Sequence, residues 1–135
     1  LTDPWFYLVR TGEPVVPLGL GNASVGGSDF DALNTGVTDS IGPFNMGQLV
    51  RVWGRITVHN LSTKYLCLDD GSGLSTGLVS GVKGVRVSWA SMSGLGIAPV
   101  TGKYACVTGM VSCLNIGGET YPVILLRTRN DFQQF

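Results

Sequence analysis

Alternation of apolar and polar residues along one stretch, residues 49–70, constrains the fold more than any other feature of this sequence. In its first half, LVRVWGRITVHN, every second residue from Val50 onward is apolar or glycine, the period of a half-buried β-strand. The same period puts Arg51, Trp53 and Arg55 together on the opposite face. The stretch therefore predicts a long strand with one core face and one face that carries arginine and tryptophan.

A shorter strand, KYLCLDD, follows this long strand after a three-residue break. Leu66 and Leu68 continue the apolar face, so Tyr65, Cys67 and Asp69 are expected on the other face. The Asp-Gly-Ser-Gly sequence that comes next is typical of a turn. The two segments together predict a strand pair.

Three further strands are predicted in the C-terminal half: Val85–Trp89, Lys103–Asn115 and Thr120–Arg127. Arg86 faces outward in the first of them. Gly109 lies inside the second, where a bulge or sharp bend is expected. Pro122 cannot donate a ladder hydrogen bond, which marks its stretch as an edge or a bulge.

The first 48 residues have a different character and predict an arm, whose apolar opening segment would either complete the sheet of its own domain or add as a strand to a neighbouring copy. Leu1–Arg10 is apolar on both sides of an extended segment, and Gly12–Gly47 is rich in glycine, serine, asparagine and proline. One short helical turn is expected, capped by Ser28 and ended by Gly36. A tract of this length without regular structure favours an ordered segment that covers a surface, either its own or that of another subunit. The division predicted is an arm over 1–48 and a sheet domain over 49–135.

The fold class expected from these elements is all-β, a five-stranded Greek-key barrel with an irregular arm. The strings LVRVWGRITV, YLCLDDGSGL, GVRVSW, YACVTGMVSC and YPVILLR resemble an OB-fold domain of the type found near the C-terminus of bacterial secreted and cell-surface proteins. More loosely, the chain resembles subunits of extracellular filaments that polymerise by strand exchange. The resemblance implies a secreted or cell-surface protein.

Catalytic and metal chemistry find little support in the sequence. His59 is the single histidine, and its position at a strand end favours a surface role. Asp69 and Asp70 are adjacent in a strand and point to opposite faces, so they do not pair as acid and base. Cys106 and Cys113 lack the spacing of a zinc site. We expect no enzyme activity, no metal and no cofactor.

Composition favours a protein that hides much of its surface. Charged residues make up 13% of the chain, nine of each sign, whereas soluble monomers usually carry more. No apolar run reaches the roughly 20 residues of a membrane helix. The chain begins with Leu1 rather than methionine, which favours processing during export. Three cysteines are an odd number, which leaves open an intermolecular disulfide, a free thiol or small buried side chains.

Self-association is the function expected from these features. The opening segment would add as a strand to the sheet of a neighbouring copy, and its large side chains would fill apolar pockets there: Trp5, Phe6, Tyr7, Leu8 and Val9. The product would be a homopolymer, such as an extracellular filament or a surface layer.

The alternative function is binding of single-stranded nucleic acid or polysaccharide on the outer sheet face. Five side chains would form that face: Arg51, Trp53, Arg55, Tyr65 and Arg86. The neutral net charge disfavours nucleic acid. A bland interpretation of the same face is that the arm or another subunit covers it. Two Asn-X-Ser tripeptides, at Asn22 and Asn60, lie in predicted loops and leave glycosylation open.

Overall fold

Seven strands make up the sheet of this protein, and no α-helix occurs among the residues described by the computed structural model, 12, 14–78 and 81–135. The strands are β1 (Leu18–Gly19), β2 (Leu49–Asn60), β3 (Tyr65–Asp69), β4 (Val85–Ser88), β5 (Tyr104–Ile116), β6 (Glu119–Leu125) and β7 (Phe132–Gln134). Two single 3₁₀ turns, Asn22–Ser24 and Arg129–Asp131, complete the regular structure. The all-β prediction is confirmed, and the five strands predicted lie within about two residues of β2 to β6.

Five of the strands close into a ring in the order β2, β3, β4, β6, β5 and back to β2. Every pair in the ring is antiparallel except β4 with β6, which is parallel. The ring closes because its two long strands, β2 and β5, each pair with two neighbouring strands of the ring. The first half of β2, Leu49–Arg55, pairs with β5, and its second half, Arg55–Asn60, pairs with β3. Strand β5 divides in the same way between β2 and β6.

The hydrophobic core fills the inside of this ring. The alternation in β2 is confirmed as far as Ile56, because Val50, Val52 and Ile56 are fully buried while Arg51, Trp53 and Arg55 are exposed. Side chains from β3, β4 and β5 meet them there, chiefly Leu66, Leu68, Val85, Val87 and Val107. Burying apolar surface of this kind contributes roughly 25 cal/mol per Å², so the ring interior is the main source of stability.

The irregularity in the sheet lies in β2 rather than in β5. Pairing of β2 with β3 shifts register between Ile56 and Val58, and Val58 is only half-buried instead of facing the core as the alternation predicted. The bulge expected at Gly109 is absent, since β5 keeps one register with β2 and another with β6 without a shift. A Cβ at Gly109 would lie 2.5 Å from the Leu125 carbonyl oxygen. Glycine is therefore required there for close approach of two backbones.

Pro122 lies where the sequence predicted, on an edge. It pairs with Cys113 of β5 on one side, and the parallel contact of β6 with β4 begins only at Val123. The missing N–H of Pro122 therefore costs no ladder hydrogen bond between β6 and β4.

The irregular segment before β2 is tied to the ring of its own chain. Asn22 is fully buried; its backbone N–H donates to Asp70 Oδ2 over 2.7 Å and its Nδ2 donates to the Leu68 carbonyl over 2.6 Å. Near the other end of the segment, Gly47 N–H donates to the Val111 carbonyl over 2.9 Å. The segment thus covers its own protomer. The apolar segment Leu1–Arg10 lies outside the described residues.

The prediction of a helical turn between Ser28 and Gly36 is wrong. The Asp31 carboxylate accepts the backbone N–H groups of Leu33 and Asn34, both over 2.8 Å, and also the Asn34 side-chain amide. Aspartate offers these N–H groups an acceptor that competes with a helix. The result is a tight loop in place of a helical turn.

Among the described residues, no helix is long and apolar enough to cross a membrane.

Candidate interaction face

One outer face of the sheet carries exposed aromatic and basic side chains in neighbouring positions. Trp53 of β2 lies opposite Cys106 of β5, and Arg55 lies opposite Tyr104. Strand β7 extends this layer, and the backbone N–H of Phe135 donates to the Tyr104 carbonyl over 2.9 Å, which continues the β5–β7 register by one residue. We call the set of Arg51, Trp53, Arg55, Tyr104 and Phe135 the aromatic face.

The aromatic rings of this face are open to solvent. Trp53 is 58% exposed, Tyr104 56% and Phe135 71%. The rings stand on three neighbouring strands, β2, β5 and β7, about 4.8 Å apart, so exposed apolar surface is concentrated on this part of the sheet. A patch of this kind on a sheet is typical of a surface that binds a partner or a ligand.

Hydrogen bonds hold the two arginines of the aromatic face in place. Arg51 Nε donates to Thr108 Oγ1 over 3.1 Å, and Arg55 Nε donates to the Gly102 carbonyl over 3.2 Å. Each bond uses one of the five guanidinium donors and leaves the others for a further partner. The guanidinium groups therefore border the apolar patch as fixed positive charges.

A shallow hollow of about 270 Å³ opens beside Trp53, Arg55 and Tyr104. Asp69 and Asp70 line its other side. Burial opposes ionisation of Asp70, but hydrogen bonds from Asn22 N–H and from Ser72 outweigh it and lower the pKa of the carboxyl group. Within the described part of the chain, the one ion pair shorter than 4 Å joins Arg127 to Asp131, so neither aspartate neutralises Arg55 directly.

Tyr65 and Arg86 lie apart from the aromatic face. Tyr65 is opposite Asn60, seven residues along β2 from Trp53, which is roughly 23 Å of extended strand. The Arg86 guanidinium carbon sits 4.5 Å from the centre of the Tyr65 ring, and both side chains are half-buried. The two side chains therefore form a cation–π pair with each other. The structure thus brings together three of the five side chains expected on one face, and separates the other two.

Tyr104 and Phe135 complete the aromatic face in their stead, and neither was singled out from the sequence. Tyr104 could have been predicted, because the alternation in YACVTG puts its side chain on the face opposite to that of buried Ala105. Phe135 gives no local signal. It follows a 3₁₀ turn, and only the pairing of β7 with β5 brings it beside Tyr104.

Two hollows are each lined by a pair of aspartates, Asp69 with Asp70 and Asp29 with Asp39, so the expectation that Asp69 and Asp70 face apart is wrong. His59 Nδ1 lies 3.2 Å from Thr101 Oγ1 at the end of β2, and no group of three His, Cys, Asp or Glu side chains among the described residues is placed to hold a metal ion. The three cysteines are free thiols: Cys67 is buried, Cys106 half-buried and Cys113 exposed. Burial raises the pKa of the Cys67 thiol to about 12, which keeps it protonated and inert.

The two Asn-X-Ser tripeptides differ in accessibility. Asn22 is fully buried with its amide nitrogen bonded to Leu68, whereas Asn60 is exposed at the end of β2 and accepts the Thr63 N–H through Oδ1. A glycan on the Asn22 amide is incompatible with the folded ring. Only Asn60 remains an acceptor in the native state.

Comparison of this chain with protein-family models, with curated proteins and with solved structures found no match.

Proposed function

We propose that this chain is a non-catalytic structural protein of the bacterial cell exterior that associates with copies of itself. We further propose that its ring is an OB-fold. Three features support the fold assignment: five strands in the ring, one parallel closing pair, and long shared strands β2 and β5. The cell-surface location is supported by the sequence resemblance alone.

The observation that carries self-association is the amount of large apolar surface left in solvent. Among the described residues, fourteen large hydrophobic side chains are exposed, including all three rings of the aromatic face. Exposed apolar residues are ordinary when single, but clusters usually mark interfaces. Leu18, itself 54% exposed, belongs to β1, the strand at the other end of the sheet order from β7. With only 13% of residues charged, few repulsive contacts oppose association.

A route for added strands is also available. Strand β7 pairs with β5 on one side, and no described strand pairs with its other side. Such an edge is a template for a strand from another chain. In this proposal Trp5, Phe6 and Tyr7, which lie outside the described residues, belong to the segment that adds there.

Sedimentation velocity on the purified chain tests the proposal. A monomer has a mass of 14.3 kDa, and we expect species larger than this that grow as the concentration rises toward ~1 mM. Deleting residues 1–10 should shift the distribution toward the monomer. A full chain that stays monomeric up to that concentration contradicts self-association.

The second candidate function is ligand binding on the aromatic face, which Trp53, Tyr104 and the two arginines favour. Bases and sugar rings both stack on exposed aromatic side chains, and guanidinium groups contact phosphates. Titration with a labelled single-stranded oligonucleotide at low salt, and a pull-down on cell-wall polysaccharide, separate these ligands. Trp53→Ala should abolish binding of either one, and a wild-type chain that retains neither ligand excludes this candidate.

A further inference from the structure

The charged residues of this protein are unevenly distributed along its sequence. Between Pro14 and Val50 the sequence contains three aspartates and no lysine or arginine, and the stretch from Gly109 to Leu126 contains Glu119 alone. The eight Lys and Arg side chains of the described residues all lie in the remaining segments, with three aspartates. A net charge of zero for the whole chain therefore conceals an acidic part and a basic part.

Hydrogen bonds place the acidic part at one end of β5. Thr38 N–H donates to the Thr120 carbonyl over 2.8 Å, and Thr120 N–H donates back to Thr38 Oγ1 over 3.0 Å. Asp29 and Asn115 line the same hollow beside this contact. Residues 28–36, which we call the acidic loop, thus lie against the β5–β6 hairpin.

The acidic loop presents two apolar side chains on a fixed backbone. Phe30 is 73% exposed and Leu33 is 93% exposed. Phe30 N–H donates to the Asn34 carbonyl over 3.0 Å, and Asp29 Oδ1 accepts Gly36 N–H over 2.8 Å. Hydrogen bonds from Asn34 and Leu33 lower the pKa of Asp31, so this carboxylate stays charged at neutral pH. A loop ordered in advance loses little entropy when its side chains bind.

The aromatic face lies at the other end of β5 and carries the opposite charge. Arg51 and Arg55 border its rings, Lys103 is adjacent in sequence to Tyr104, and Asp69 and Asp70 offset part of this charge. The hydrogen bonds to Thr120 lie opposite Asn115 of β5, and Arg51 of the aromatic face lies opposite Thr108, seven residues or roughly 23 Å of extended strand away. The acidic loop and the aromatic face are therefore separate surfaces of one protomer.

We propose that the acidic loop of one copy docks on the aromatic face of the next copy. Phe30 and Leu33 pack on Trp53, Tyr104 and Phe135, while the loop's aspartates face Arg51 and Arg55 of the other protomer. This inference rests on the proposed self-association and adds a second contact to the strand addition at β7. Because the surfaces differ and lie at opposite ends, the contact is head-to-tail and repeats along a filament or ring.

Two complementary variants test the contact. The loop variant carries Phe30→Ser and Leu33→Ser, and the face variant carries Arg51→Glu, Trp53→Ser and Arg55→Glu. All five positions are exposed, so both variants should fold, and circular dichroism and thermal unfolding check that they do. A control variant, Leu61→Ser, removes an apolar side chain that is as exposed as Trp53 and lies outside both surfaces.

Sedimentation velocity then reads out the assembly state of each sample. We expect each test variant alone to associate at least ~10-fold more weakly than wild type, and the control variant to match wild type. An equimolar mixture of the two test variants should associate more strongly than either variant alone, because the face variant supplies an intact loop and the loop variant an intact face. Raising the salt concentration should weaken the wild-type association.

The possible failures are distinguishable. Wild-type oligomers that persist in both test variants, or a mixture that remains monomeric, overturn the docking contact while leaving self-association by another surface in place. A wild-type chain that is monomeric throughout overturns the proposed function and the docking contact together.

Discussion

The buried amide of Asn22 fastens the segment before β2 to the ring, and replacing it with a carboxyl group should destabilise the protein in a pH-dependent way. Asn22 Nδ2 donates to the Leu68 carbonyl over 2.6 Å in a fully buried position. In Asn22→Asp, an ionised carboxylate would place an oxygen against that carbonyl and beside Asp70, whose carboxylate accepts the Asn22 backbone N–H. Only the protonated form of the new group can still donate to Leu68.

The structure sets the size of this effect. Holding the new carboxyl group protonated at pH 7, against an unfolded-state pKa of about 3.9, costs about 4 kcal/mol, and at pH 5 the cost falls to about 1.5 kcal/mol. The folded-state pKa is raised, so the folded chain binds the extra proton. The stability of the variant relative to wild type therefore declines as pH rises above about 4, by at most about 1.4 kcal/mol per pH unit.

Urea unfolding of wild type and variants between pH 4 and pH 7 measures this difference directly. Asn60→Asp is the matched control, because Asn60 also begins an Asn-X-Ser tripeptide but is exposed, and a carboxylate there can still accept the Thr63 N–H. We expect it to change stability by less than about 0.5 kcal/mol at either pH. Asn22→Ala should lose about 1–3 kcal/mol without that pH dependence.

Two results would refute this reasoning. One is an Asn22→Asp variant as stable as Asn60→Asp at pH 7. The other is a loss of stability in Asn22→Asp that, measured against wild type, stays constant across the pH range. Either would mean that the Asn22 amide does not hold the segment against β3.

Two further predictions follow from single positions. Gly54→Ala should lower the free energy of unfolding in urea by about 1–3 kcal/mol, because its Cβ would lie 2.7 Å from the backbone carbon of Asp69. Gly19→Ala in the same sheet is the control and should be nearly neutral, because its Cβ would have no neighbour within 4 Å. Equal losses of stability in the two variants would contradict this account of β2. In a thiol titration of native protein at pH 8, exposed Cys113 should react rapidly. Cys67 should react only after unfolding, because burial raises its pKa to about 12. Rapid modification of Cys67 in the folded chain would show that the ring is open there.

Local patterns were sufficient to predict β2 to β6 and most of their core-facing residues, although not β1 or β7. In β2 the burial of Val50 and Val52 and the exposure of Arg51 and Trp53 follow from a two-residue period that any extended chain obeys. The failure over Ser28–Gly36 has an equally local cause. Asp31 can satisfy backbone N–H groups as a cap or as a loop, and composition does not distinguish the two.

The sequence by itself determined that this protein is a β-sheet structure, which residues of each strand face its core, and that Arg51, Trp53 and Arg55 share an outer face. Tertiary structure alone decided the neighbours of that face. Because β2 pairs with β5 over its first half and with β3 over its second half, Trp53 shares a face with Tyr104 and Phe135, while Tyr65 and Arg86 pair with each other elsewhere. Strand pairing joins residues far apart in the chain, and alternation within a strand carries no information about which strand lies beside it.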